Sequence, residues 1–97
     1  GMVVHEEALP VREAVAAACE ILGLDPLFVA NEGKMVAFLP ASEAERALAV
    51  WRAHPYGREA ALIGEVASGK PIVRLRTTIG SERQVRLPAG ELLPRIC

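Results

Sequence analysis

The sequence predicts an α+β domain in which two helices pack on a mainly antiparallel sheet. Three observations predict it: two stretches with the apolar period of a helix, several short runs rich in β-branched residues, and turn signals between them. Read in order they give strand, helix, hairpin, helix, strand and an added C-terminal hairpin, the split βαβ arrangement. The 97 residues, 52% of them hydrophobic, make one domain with a modest core. We place that domain at residues 1–87 and a flexible tail at 88–97.

Met2 to His5 is a β-branched run and reads as a strand. Pro10 suits the first turn of a helix, where its missing N–H has no partner to lose. In that helix Val11, Val15, Ala18 and Leu22 fall on one apolar stripe, with Arg12, Glu13 and Glu20 off it and Cys19 at its border. Gly23 offers a left-handed cap, and Asp25-Pro26 prevents continuation. Leu27 to Ala30 and Met35 to Leu39 are apolar runs flanking Asn31-Glu32-Gly33-Lys34, whose composition supplies the positive φ of a tight hairpin connection. Their continuous apolarity predicts strands covered on both faces.

Ser42 and Glu45 have the spacing of a capping box for a second helix with the stripe Ala44, Ala47, Leu48 and Trp51. Trp51 lies in phase with that stripe and reads as a core anchor. His54-Pro55-Tyr56-Gly57 stops the helix, and His54 reads as a polar residue at its C-terminus. Ala61 to Val66 is a further strand. After the turn Ser68-Gly69-Lys70-Pro71, Ile72 to Thr78 alternates apolar residues with arginines, as does the last strand through Val85 and Leu87. Arg74, Arg76, Arg83 and Arg86 are expected on one solvated face.

Net charge is −1 with both signs interspersed, which gives no footprint for nucleic acid or an anionic membrane. No apolar run approaches the roughly 18 residues of a membrane span. A cytoplasmic protein is expected. Cys19 and Cys97, with His5 and His54, lack the spacing of a zinc site, so no metal is expected. Gly1 ahead of Met2 reads as the remnant of a cleaved tag, and the chain as a stretch that begins inside a longer protein. Cys97 is the last residue, and a thiol in that position can be carried to a site elsewhere.

The segments Leu9-Pro10-Val11-Arg12-Glu13, Cys19 through Leu27, Val29 through Lys34, and Leu93-Pro94-Arg95-Ile96-Cys97 closely resemble the C-terminal domain of the HypE family of [NiFe]-hydrogenase maturation proteins. That family lies in the aminoimidazole ribonucleotide synthetase superfamily, so the resemblance implies a fold like the C-terminal domain of PurM. It also implies a carbamoyl dehydratase: the terminal cysteine accepts a carbamoyl group, ATP with Mg activates the carboxamide oxygen, and dehydration gives a thiocyanate that supplies the iron cyanide ligands. By this resemblance Cys97 is the carrier, Pro94, Arg95 and Ile96 belong to the tail that swings it, and Glu32 is the proton acceptor. The implied partners are a carbamoyltransferase like HypF and iron-scaffold proteins like HypC and HypD.

The residues suit such chemistry. A thiolate is the reactive form, and Arg95 is placed to offset the α-carboxylate that disfavours it. At roughly 3.3 Å per residue, a tail from Pro88 to Cys97 reaches about 30 Å. The chain lacks a glycine-rich phosphate loop, and Ser68-Gly69-Lys70 does not replace one, so the ATP-binding domain is expected elsewhere and this stretch alone is expected to be inactive. The alternative from the residues alone is a stand-alone interaction or regulatory module that binds a protein partner or small ligand through its last hairpin.

Overall fold

The computed structural model describes residues 1–86. They contain strands β1 (Met2–His5), β2 (Gly64–Val66), β3 (Val73–Arg76) and β4 (Glu82–Val85), and helices α1 (Glu13–Leu22) and α2 (Ala41–Arg52). The strands form one sheet in the order β2-β1-β3-β4. β1 is antiparallel to β2 and parallel to β3, and β3 is antiparallel to β4. This is a mixed, mainly antiparallel sheet in an α+β chain, and β3 with β4 is the added hairpin. The described residues fall into two compact units, one of Gly1–Pro10 with Phe38–Arg86 and one within Val11–Ala37.

In the first unit the sheet is centred on β1 and β3. Val4 lies opposite both Gly64 and Leu75, so these residues share a face with Val73 and Val85. Leu75, on an inner strand of that face, is fully buried. Gly64 has no room for a side chain, because a Cβ there would run into the Val3 carbonyl oxygen. Backbone bonds from Met2 N–H to the Ile72 carbonyl (3.0 Å) and from Ala67 N–H to the Gly1 carbonyl (2.9 Å) extend the pairing beyond the strands.

α2 carries the expected stripe, with Ala44, Ala47, Leu48 and Trp51 all half-buried. Its start differs from expectation. The N-cap is Pro40 and no side chain caps it, so Ser42 and Glu45 stand inside the helix and form no capping box. Past α2, His54 Nδ1 accepts from the Tyr56 N–H at 3.1 Å and caps a 3-10 turn over Pro55–Gly57. That turn ends the helical path as the sequence indicates.

In the second unit α1 begins at Glu13 rather than Pro10, because Arg12 is still extended (φ −67°, ψ 145°). It ends where expected. Gly23 takes φ 70°, its N–H bonds to the Glu20 carbonyl at 3.3 Å, and the Leu24 N–H reaches the Cys19 carbonyl at 2.8 Å, the paired bonds of a Schellman cap. The expected stripe is not buried: Val11, Val15 and Leu22 are exposed, and Cys19 is the buried residue of the helix.

The expected hairpin over Leu27–Leu39 does not form. Asp25 Oδ1 accepts from the Leu27 N–H at 3.0 Å and starts a 3-10 turn over Pro26–Phe28, which takes up the first strand's residues. Residues 29–40 contain no strand, and Met35, Val36, Phe38 and Leu39 are exposed. A strand apolar on both faces needs cover on both, and these side chains are left largely open to solvent.

Gly23→Ala places a side chain in open space but at positive φ, so its cost is one of backbone conformation. We expect a loss of about 1 kcal/mol, measured as a lower denaturation midpoint with unchanged slope.

Candidate functional site

Of the residues marked as functional by the sequence, Cys97, Pro94, Arg95 and Ile96 lie outside the described residues. Glu32 lies within them. It is exposed on the bend that precedes Gly33, which adopts φ 77°. The Asn31 side-chain amide donates to the Val29 carbonyl at 3.1 Å and tightens the chain leading into that bend. Glu32 is therefore presented to solvent on a short, locally bonded turn although no hairpin surrounds it.

The arginines of the last hairpin do not all share a face. Registered partners lie on the same side, which puts Arg74 and Arg76 with Gln84 and Glu82, and Arg83 with Leu75 on the other. Arg86, just past β4, donates to Gln84 Oε1 at 3.1 Å and stays with the first group. Nor is the polar face simply basic. Glu65, His5, Arg76 and Glu82 form a row across all four strands, with His5 Nε2 3.5 Å from Glu65 Oε1 and Arg76 Nη2 2.8 Å from Glu82 Oε2. The Arg76 hydrogen bond holds the Glu82 carboxyl below its ordinary value, with Arg74 and His5 adding to the effect, and Glu82 in turn raises Arg76. His5 and Arg76 thus each have an acidic neighbour, which weakens the case for an anion-binding face.

At the C-terminal ends of the parallel strands β1 and β3 lies an open cleft of about 170 Å³, lined by His5, Glu7, Arg76, Thr77, Thr78 and Gly80. Glu6 Oε1 accepts from the Thr78 N–H at 3.1 Å and ties the chain after β1 to the β3–β4 turn. Sequence spacing gives no hint of this cleft, because the contributing segments are joined only by strand pairing. It is smaller than the several hundred Å³ of a typical ligand pocket.

Ser68 to Pro71 leads into β3 rather than a helix, so its amides do not join a helix N-terminus as a phosphate cradle requires. Among the described residues no three His, Cys, Asp or Glu side chains gather as metal ligands, and no helix is long and apolar enough to cross a membrane.

Residues 1–76 match the family model of the AIR synthase related protein, C-terminal domain, and the chain belongs to that family. Within it, the chain is 57% identical over its whole length to carbamoyl dehydratase HypE of Azotobacter vinelandii, while covering 29% of that protein. The crystal structure of Escherichia coli HypE matches all of the chain with a TM-score of 0.91 at 50% identity, over 30% of the crystallised chain. A HypE–HypF complex matches 91% of the chain at a TM-score of 0.85 and 44% identity, over 28% of its own chain. A HypE structure in complex with ATP matches 94% at 0.85 and 42% identity, over 29% of its own. The resemblance to HypE proteins read from the sequence therefore holds along the whole chain, and the chain spans under a third of these relatives.

Because Glu82 titrates below its unfolded value, its pairing stabilises the fold above the ordinary carboxylate range and is lost as pH falls through the folded value. We expect Glu82→Gln to lower stability slightly at neutral pH and low salt, with the difference from the parent vanishing at acid pH or in high salt. Urea titrations under those conditions check it.

Proposed function

We propose that this chain is the carbamoyl-carrying part of an ATP-dependent hydrogenase-maturation dehydratase. The observation that carries the reading is the 57% identity over every residue to a carbamoyl dehydratase HypE, which takes in the closing Pro94-Arg95-Ile96-Cys97. In this reading the Cys97 sulfur gives up its proton and forms a bond to the carbamoyl carbon, releasing the donor's leaving group. Loss of the carboxamide oxygen and both N–H protons then leaves a thiocyanate on sulfur. ATP, with Mg, supplies activation of that oxygen from the part of the protein outside these 97 residues. Pro94, Arg95 and Ile96 form the tail that delivers the sulfur from a domain ending at residue 87.

Glu32 is the residue of this chain that we assign to proton removal. A carboxylate held on a turn and open to solvent is accessible to an arriving group, and a base within reach of the amide protons is what dehydration requires. The existence of a HypE–HypF complex supports a HypF-like carbamoyltransferase as donor. Iron-scaffold proteins like HypC and HypD are the acceptors, and the chemistry belongs to the cytoplasm.

Intact-mass spectrometry of the full-length protein, with the transferase, carbamoyl phosphate and ATP, tests the reading. We expect a gain of about 43 Da on Cys97 that then falls by about 18 Da, the formula masses of a carbamoyl group added to a thiol and of the water lost. Cys97→Ser should show neither change, and an unmodified parent beside active transferase overturns the assignment. Glu32→Gln should still gain the carbamoyl group but dehydrate about 100-fold more slowly, the usual scale for loss of a general base. Dehydration at the parental rate removes Glu32 from the mechanism.

A further inference from the structure

β4 is an edge of the sheet, with β3 on its inner side and no strand on its outer side among the described residues. The turn that precedes it sets which backbone groups face outward. The Thr77 N–H bonds to the Ser81 carbonyl at 2.8 Å, so Ser81 is directed toward β3; the alternation of an antiparallel pair then directs Arg83 and Val85 inward and Glu82, Gln84 and Arg86 outward. Outward N–H and C=O groups on an edge are a template for another strand. Charged side chains ordinarily blunt such an edge, because a strand of arbitrary sequence meets them unmatched.

The order of the charges on β4 changes that argument. Glu82, Gln84 and Arg86 lie on the same solvated face, with the acid at one end, the base at the other and the neutral amide between them. A second β4 laid antiparallel about Gln84 therefore sets Glu82 against Arg86 at both ends and Gln84 against itself. The same two-fold brings outward-directed backbone groups against outward-directed ones. A parallel approach in register sets Glu82 beside Glu82 and Arg86 beside Arg86, and a one-residue slip sets side chains of the polar face against those of the other. Glu82 also has an oxygen to spare. Arg76 Nε and Nη2 both donate to its Oε2, at 3.2 and 2.8 Å, which leaves Oε1 for a second guanidinium.

We infer that the outer edge of β4 pairs antiparallel with the same edge of a second copy of this protein, in the register that sets Gln84 against Gln84 and Glu82 against Arg86. The edge accepts its own copy and discourages other strands, since the charges that match under the two-fold are unmatched otherwise. The inference rests on strand order and charge order and not on the proposed chemistry, so a failed carbamoylation assay leaves it standing.

The test uses the full-length protein carrying Gln84→Cys, prepared as isotopically light and heavy copies, mixed, and treated with a short bismaleimide. Peptide mass spectrometry reads links between position 84 of a light copy and position 84 of a heavy one, apart from any link through native Cys19 or Cys97. We expect that link to form. Adding Arg86→Glu or Glu82→Arg sets like charges against each other at both ends, and each should lower the yield of the link about tenfold. A light Arg86→Glu copy mixed with a heavy Glu82→Arg copy has opposite charges at both ends again. The link between those two copies should return to the parental yield, which also shows that both variants are folded. Absence of the link in the parent, a yield that neither charge reversal lowers, or no recovery on mixing overturns the inference. So does a position 84 that links to a different residue or to another protein instead.

Discussion

The parallel pairing of β1 with β3 is the constraint on which the sheet depends. Met2 to His5 lie in register with Val73 to Arg76, so the chain's first strand is held by one from its last third. A parallel pair cannot be closed by a tight turn, so the chain leaves the sheet after β1 and returns as β2 on one side of β1 before crossing to β3 on the other. This placement makes β1 and β3 the inner strands, leaves β2 and β4 as edges, and buries Leu75 between them. It also fixes the charged row, because Glu65, His5, Arg76 and Glu82 face the same side only in this register.

What the sequence made legible follows from how local each signal is. The end of α1 is encoded in adjacent residues, Gly23 for the left-handed turn and Asp25-Pro26 against continuation, and it appears where expected. Strand β1, the α2 stripe and the β3–β4 turn at Gly80 (φ 87°) are similarly local. The hairpin expected at Leu27–Leu39 does not form because its signal, unbroken apolarity, describes an environment rather than a conformation. Asp25 and Pro26 impose a 3-10 turn from within the chain, whereas the strands need cover on both faces, and these side chains are left largely open to solvent. The stripe on α1 shows the same limit. Periodicity identified the helix and its apolar side, but not whether that side would meet a surface.

The arginines illustrate a second kind of limit. Alternation placed Arg74 and Arg76 together correctly, but the strand phase changes across the turn at Gly80, and Arg83 falls on the side of Leu75. One residue of register decides the face of every side chain in a strand. The parity is set by the turn, where Thr77 and Ser81 bond through both backbone and hydroxyl groups. The cleft formed by His5, Glu7, Arg76, Thr77, Thr78 and Gly80 had no sequence signal at all, because it exists only once β1 and β3 are paired.

These features argue for a division of labour. A group that does chemistry in place is commonly shifted in pKa by burial or by a charge within a cleft. The shifted groups found among the described residues, Arg76 and Glu82, are open to solvent and satisfy each other across a hairpin, which is the arrangement of a structural pair. Glu32 is exposed on a bend, presented but not enclosed. In the proposed reading this scaffold presents a reacting group to machinery elsewhere. The water-excluded site of that reading belongs to the longer polypeptide in which the relatives embed this fold.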